Sequence, residues 1–537
     1  MPRIISLSRR NPRGAGPSQL RENPVSSSSS GGGNISTAAT PPDPHASHRP
    51  DPRPTAQDVA PDGSLRRTLK SRHLTMIAMG GAIGTGLFVA SGNSINTAGP
   101  GGALVAYAAI GFMVFLLMQS LGEMATHLPV AGSFEEYSTR YISRSFGFAI
   151  GWNYWYNWAI TVAAELVAAA LVMRYWFPDV PAWIWSALFL VILFSLNALS
   201  ARAYGESEFW FSLVKVITVV IFLVLGVLMI LGILGGPSPG FHNWTAGEAP
   251  FVNGFTGIMA IFMVAGFSFQ GTELVGVAAG EADNPHETVP KAIRTVFLRI
   301  LLFYIGAIAV IGFLIPYTDP HLLASDVEDV SISPFTLVFE HAGVLAAASV
   351  MNAVILTAIL SAGNSGLYAS TRMLYALAKG GKAPRFLARV NRRGVPMLAL
   401  LATTLIGMFC FLTTLIGEGQ AYVWLINASG LAGFIVWMGI AWSHYRFRRA
   451  YVLQGGDPKN LTYRARFFPI GPVVALIMCA VVILGQGYSL ITSGEVNALG
   501  LLSSYLGLPV FLALWLGHKV VTKDKPVDLL TADVSQH

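Results

Sequence analysis

The residues best suited to chemistry in this chain are two glycine clusters and a few charged side chains, all set in strongly apolar sequence. The first cluster lies in HLTMIAMGGAIGTGLFVASG, with Gly80, Gly81, Gly84 and Gly86 near its middle. The second lies in GIMAIFMVAGFSFQGTELVGVAAGE, where Gly266 and Gly271 flank Phe267-Ser268-Phe269-Gln270. Taken singly, each reads as close helix packing, since Gly80 and Gly84 have small-xxx-small spacing. As a pair they predict two helices broken at corresponding places, with freed backbone N–H and C=O groups that only a protein-lined cavity can tolerate. A half-helix opening at Thr85-Gly86, just after Gly84, offers N–H donors and a positive dipole end to a carboxylate. The carbonyls around Ile83, Phe267 and Ser268 can accept from an ammonium. Carboxylate and ammonium together make this an amino-acid site.

Charged groups inside apolar runs are costly and face a cavity or a partner. Lys215, in EFWFSLVKVITVV, has two readings: a side chain snorkelling to the interface, or a buried amine that gains and loses a proton during transport. As the sole midspan basic residue, it favours the second. Glu273, just after the second break, favours a substrate, proton or gating role over capping the broken helix. Glu281 reads as solvated or anchoring a loop, and Glu123 and Glu165 stand as further candidates, Glu165 on a helix rich in small residues. The block GWNYWYNW divides evenly between an interfacial aromatic belt and a cavity lining built from Tyr154, Trp155, Asn157 and Trp158. Ser361, Asn364 and Ser365 lie close together on one helix, where helix–helix hydrogen bonding is the default and cavity lining the alternative.

These side chains need elements to hold them, and composition says which. Of 537 residues, 53% are hydrophobic and 12% charged, against about 25% charged in soluble domains. An ordinary soluble enzyme is excluded; the solvent is a lipid bilayer. Continuous apolar runs predict helices rather than the alternating strands of a barrel. Twelve spans are expected, near 75–95, 102–125, 147–173, 182–200, 208–233, 254–280, 297–316, 344–372, 397–415, 420–444, 469–490 and 497–518. Sorting Lys and Arg by connection puts 33 of the 35 on one face, which the positive-inside rule makes cytoplasmic, with both termini there. Five spans per half is an odd number, so the second half inserts inverted relative to the first.

Residues 1–68 read as a disordered cytoplasmic tail, 69–520 as the transmembrane domain and 521–537 as a short cytoplasmic tail. The first segment is rich in Ser, Gly, Pro and Arg, too polar to bury a core. Residues 1–72 hold 11 Lys/Arg against five acids, so most of the net charge of +7 belongs to this tail. No nucleic-acid motif accompanies it. Cys410 and Cys479 sit inside apolar runs, which argues against a disulfide framework. No nucleophile elbow, phosphate loop or metal-spaced His/Cys cluster is present, so neither a cofactor, a metal nor an enzyme activity is expected.

The stretches LKSRHLTMIAMGGAIGTGLFVASG, AGPGGAL, GEMATHLPVAGSFEEYSTRY, GFSFQGTELVGVAAGEADNP and STRMLYALAKGGKAP resemble bacterial amino-acid permeases of the amino acid–polyamine–organocation superfamily. The likeness runs from about residue 69 to 520. Blocks such as VMRYWFPDVPAWIWSALFLVILFSLN, IPYTDPHLL and SHYRFRRAYVLQG bring it nearest to the lysine-specific permeases. The resemblance implies an all-α membrane protein with a leucine-transporter-type fold: spans 1–5 and 6–10 as inverted repeats, spans 1 and 6 discontinuous, spans 11 and 12 peripheral. It implies proton-coupled uptake across the inner membrane. By position, Gly84, Thr85 and Gly86 resemble the family's carboxylate site, and Ile83, Phe267 and Ser268 its α-amino site. Lys215 resembles the span 5 lysine that replaces a sodium ion of sodium-coupled relatives. Glu273 matches an acid able to meet a cationic side chain, though neutral-substrate permeases share it. The expectation is import of L-lysine with a proton by alternating access. Arginine, an aromatic amino acid or 4-aminobutyrate is the alternative substrate, and a membrane sensor that binds without translocating the alternative class.

Overall fold

A backbone in an apolar surrounding must satisfy its own hydrogen bonds, and in this chain helices do so throughout. The structure is a computed structural model that describes residues 65–81, 83–88, 90–323, 333–344, 346–416, 418–486 and 505–536. All described residues belong to one unit, within residues 56–537. The disordered tail expected over 1–68 therefore falls outside the described residues except for its last four positions.

The first segments are α1 (Ser71–Gly80), α2 (Thr85–Phe88), α3 (Ala90–His127), α4 (Ser133–Tyr141), α5 (Arg144–Met173), α6 (Ala182–Leu199) and α7 (Ala201–Ile230). After a short α8 (His242–Thr245) come α9 (Gly254–Phe269), α10 (Leu274–Ala278) with a 3-10 turn to Glu281, and α11 (Pro285–Arg299). A π-helical stretch, Ile300–Gly306, joins α11 to α12 (Ala307–Leu314). Then follow α13 (Pro320–Leu323), α14 (Pro334–His341), α15 (Ala347–Lys379), α16 (Met397–Gly407), α17 (Thr413–Ile416), α18 (Glu418–Leu453), α19 (Ile470–Gly485) and α20 (Gly507–Thr522). Among the described residues eight helical stretches are long and apolar enough to cross a membrane, and α19 and α20 are shorter apolar helices. The stretch linking those two, 487–504, lies outside the described residues.

The helix α5 is apolar on every side and is buried along almost its whole length, as such a helix must be. Its N-terminus is capped by Ser143, whose Oγ accepts from the Phe146 N–H at 3.1 Å. It packs between α15 and α18. The outer helices α6 and α7 instead leave Trp183, Val191, Trp210 and Val224 exposed, an apolar surface suited to lipid.

Both predicted interruptions are present. The first separates α1 from α2 at Gly81–Gly84, and the helix resumes with a further bend at Gly99, whose φ of 73° precedes Pro100. The second begins later than the glycine pattern suggests. The helix α9 continues through Gly266 to Phe269, and the break occupies Gln270–Glu273, with Gly271 at φ 93°. Gly266 serves packing: a Cβ there would lie 2.0 Å from the Phe434 ring. The outer ends of the two broken segments are tied by the one isolated β-bridge among the described residues, Leu69 with Ala282, in which the Leu69 N–H donates to Glu281 O at 2.9 Å.

Two expectations about charge need correction. Arg299, one of the 33 basic residues counted to the cytoplasmic face, is fully buried at the C-terminal end of α11. That puts it about four turns into the helix, where it donates to the Ala78 carbonyl. Lys215 is thus not the sole basic residue inside the bundle. Glu281 is not solvated: it has no exposure and accepts from Arg372 Nε at 2.7 Å and Tyr368 Oη at 2.8 Å. Rather than anchoring a loop, it links the 3-10 turn after α10 to α15.

Residues 523–536 fold back on the helix ends. The Ser145 N–H donates to Asp524 Oδ2 at 2.7 Å, the Val527 N–H to Ile142 O at 2.9 Å, and Gln454 Nε2 to the Leu529 and Ala532 carbonyls at 2.9 and 2.8 Å. The strap ends against the terminal turn of α3, with His127 Nε2 2.9 Å from Val534 O.

Candidate functional site

The helical segments beside the two breaks meet. The Gly86 backbone approaches Ser268 so closely that a Cβ on Gly86 would lie 2.6 Å from the Ser268 Cα. Beside this contact is a small internal cavity of about 20 Å³, room for about one water. Gly84 and Gly86 line it from the first break, Phe267 and Gln270 from the second, and Glu165 and Trp158 from α5. Glu165 approaches the first break directly: its Oε1 lies 3.7 Å from where a Gly84 Cβ would stand.

The helix restarting at Thr85 leaves its first N–H groups without upstream helical carbonyls. Of the carbonyls expected to be free, Phe267 O accepts from the Gln270 N–H at 3.0 Å and Ser268 O from Tyr304 Oη at 2.8 Å. Each keeps a second lone pair for another donor. Gln270 contributes a buried Nε2 with no partner among the described residues, a donor that costs about 1–3 kcal/mol while unmet. Sequence reading did not single out Gln270 as a site residue. Its place inside the break, next to Gly271, was the available signal.

Glu273 stands apart from the cavity lining. Its Oε1 accepts from Tyr154 Oη at 3.4 Å, and its Oε2 from Trp437 Nε1 at 3.2 Å and the Gly271 N–H at 3.1 Å. The aromatic block divides by helical face. Tyr154, Trp158, Thr161 and Glu165, spaced four, three and four, point inward along one stripe of α5. Trp152 and Trp155 turn to the Lys382 carbonyl and to Thr403 Oγ1. Asn153 donates to Ala432 O at 2.8 Å, while both polar atoms of the Asn157 amide are buried without a partner among the described residues. Ser365 meets Tyr204 Oη at 3.2 Å, and Asn364 Oδ1 accepts from Asn197 at 2.8 Å, which are helix–helix bonds outside the cavity.

Lys215 is completely buried against the first break. Its Nζ donates to the Gly80 carbonyl at the end of α1 and to Ser361 Oγ at 2.8 Å. The close approach of α1 and α7 permits this, since a Cβ on Gly80 would lie 2.4 Å from the Ser212 side chain. Arg299 performs the parallel task from α11. Its guanidinium reaches Ala78 O, Thr272 Oγ1 and Tyr304 Oη, the last two at 3.3 Å. Two buried cations therefore sit on the carbonyl end of α1, where the helix dipole is negative. Glu123, in contrast, belongs to a separate knot with Arg448 and His444.

Apolar crossing helices around an internal polar site at paired helix breaks define a multi-pass membrane protein. The family described as Amino acid permease matches residues 73–531, and the chain belongs to it. It is 60% identical over 458 residues to the lysine-specific permease LysP of Escherichia coli (strain K12), covering 85% of this chain and 94% of that protein. Similarity to the lysine-specific permease LysP of Lactococcus lactis subsp. cremoris (strain MG1363) is 53% identity over 88% of this chain and 93% of the relative. The histidine permease HisP of the same strain is 48% identical over 88% and 98%. The chain is thus an amino-acid permease by family, and its named relatives are transporters.

Proposed function

We propose that this chain imports L-lysine together with a proton across the inner membrane by alternating access. It does so through twelve spans, the first ten forming a 5+5 inverted repeat, with both termini in the cytoplasm. The observation that carries this reading is the cavity at the meeting of the two breaks, with Glu165 on its wall, in a chain so similar to two permeases named for lysine.

The substrate carboxylate binds the N–H groups of Thr85 and Gly86, with Gly84 keeping the approach open. Its α-ammonium binds the Ile83, Phe267 and Ser268 carbonyls. Glu165 is the carboxylate within reach of the side-chain ammonium, and Glu273 the next, once Tyr154 and Trp437 release it. Lys215 carries the proton. The present cavity is far too small for lysine, so spans 1 and 6 separate from spans 3 and 8 to admit it. The membrane potential assists, since each positive charge moved inward gains about 2.3 kcal/mol per 100 mV.

The test is uptake of labelled lysine into proteoliposomes under an imposed pH gradient. Accumulation, competed by unlabelled lysine but weakly by histidine, arginine, 4-aminobutyrate or an aromatic amino acid, is expected. Equal competition by a neutral amino acid overturns lysine selectivity, and binding without accumulation marks a sensor.

A further inference from the structure

Lys215 has a partner that its spacing made available and that the proton-carrying role leaves unexplained. Glu208 lies seven residues earlier on α7, two helical turns away and so on the same face. Both side chains are completely buried, and Glu208 Oε1 lies 3.8 Å from Lys215 Nζ. The Ser361 hydroxyl of α15 stands between them. It accepts from Lys215 Nζ at 2.8 Å and donates to Glu208 Oε1 at 2.5 Å, with Ser212 Oγ a second donor to that oxygen at 3.1 Å. The other carboxyl oxygen, Oε2, is buried without a hydrogen-bond partner among the described residues.

We propose that Glu208 is the proton acceptor for Lys215, with the Ser361 hydroxyl relaying between them. This rests on the proton-coupled reading above. In the transfer, the ammonium N–H breaks and its proton joins Ser361 Oγ, while the serine's own proton leaves for a carboxylate oxygen of Glu208. A neutral amine and a neutral carboxylic acid result, and no charge leaves the pair. The direction is built in, because Glu208 is two turns nearer the Ala201 end of α7, the end assigned to the cytoplasm. The transfer also weakens one structural bond. The charge-assisted contact of Lys215 with the Gly80 carbonyl becomes an ordinary hydrogen bond, about half as strong, which loosens α1 from α7.

Charged and titratable neighbours surround the pair on every side. Glu165 from α5 and Arg299 from α11 act on Lys215. Tyr204 on α7 faces Glu208, with Glu281 and Arg372 of the next polar layer acting on that tyrosine. The stacked Tyr368 ring lies 3.9 Å from that of Tyr204. From α1, His73 Nδ1 lies 2.9 Å from where a Gly205 Cβ would stand, and His73 Nε2 is 3.2 Å from the partly exposed Glu206. None of these sits in the short path through Ser361.

The experiment uses the full chain in proteoliposomes with the membrane potential clamped, measuring both lysine accumulation driven by a pH gradient and lysine–lysine exchange. Glu208→Gln keeps an oxygen for Ser361 and Ser212 and removes the titrating group. It is expected to lower gradient-driven accumulation at least tenfold while exchange falls less than threefold. Ser361→Ala, which leaves both charged groups in place, is expected to show the same split and serves if Glu208→Gln does not fold. Wild-type accumulation with an unchanged pH profile in either folded variant overturns the relay. Exchange without gradient-driven accumulation in the wild type overturns proton coupling itself, and the relay with it.

Discussion

Gly86 on α2 and Ser268 on α9 bring the helical segments beside the two breaks into close contact, with 2.6 Å between a would-be Gly86 Cβ and the Ser268 Cα. The obstacle is main chain, so no rotamer change relieves it. Gly84 differs, because a Cβ there would meet the Ala362 Cβ at 3.4 Å, an ordinary contact. Overpacking costs about 1–3 kcal/mol. Gly86→Ala is therefore expected to reduce lysine uptake by about tenfold or more, at about 1.4 kcal/mol per tenfold, and Gly84→Ala to keep most of it. Initial uptake rates of the two variants, corrected for protein in the membrane, check this. Equal rates would sink the argument.

Lys215 holds the Gly80 carbonyl and Ser361 from a fully buried position. Lys215→Ala is expected to abolish accumulation driven by a pH gradient, since no other side chain on α7 replaces the amine at this place. Uptake by the variant that still rises with the imposed gradient would refute its coupling role.

Glu281 and Arg372 are both buried, and their ion pair ties α10 to α15. Removing one partner strands the other charge, at about 3–5 kcal/mol. Glu281→Gln is expected to lower the thermal unfolding midpoint by many degrees, and Glu281→Gln with Arg372→Met to recover part of the loss. The contact of Arg140 with Asp533 at 2.8 Å is half-exposed on the acid side. Asp533→Ala should change stability by no more than about 1 kcal/mol. A fluorescence melting series on the purified variants distinguishes the two cases.

The C-terminal strap is pinned by Asp524. Partial burial pushes its carboxyl upward, but the Ser145 N–H and hydroxyl outweigh this and hold it below the usual carboxylate value. A lowered folded value means the contact contributes fully above the unfolded carboxylate range and is lost as pH falls through the folded one. Tryptic release of the strap at Lys523 should therefore be slow and insensitive to pH near neutrality. It should be markedly faster in Asp524→Asn. Equal release rates in variant and wild type would remove Asp524 as the pin.

The glycine clusters made both breaks legible, since glycine in an apolar helix carries an entropic cost that packing or unwinding must repay. Even so, the second break was displaced: Gly266 packs against Phe434, and Gln270 starts the interruption. Glu208 was readable from its seven-residue spacing to Lys215 and Ser212 between them, but lay at the edge of an expected span, where a carboxylate looks solvated. Arg299 was misplaced because counting charges by connection orders residues along the chain and says nothing of depth. With α11 running unbroken from Pro285, the same residue is carried deep into the bundle.

A membrane-embedded helical protein with two interrupted helices was legible in the sequence, because those properties follow from local composition and backbone freedom. Only the tertiary structure decided which polar groups meet: Gly86 with Ser268, Lys215 with Gly80 and Ser361, Arg299 with Ala78, Glu281 with Arg372. Each pair joins residues tens to hundreds of positions apart. Whether a buried charge is a cost or a device depends on the partner that packing brings within hydrogen-bond reach.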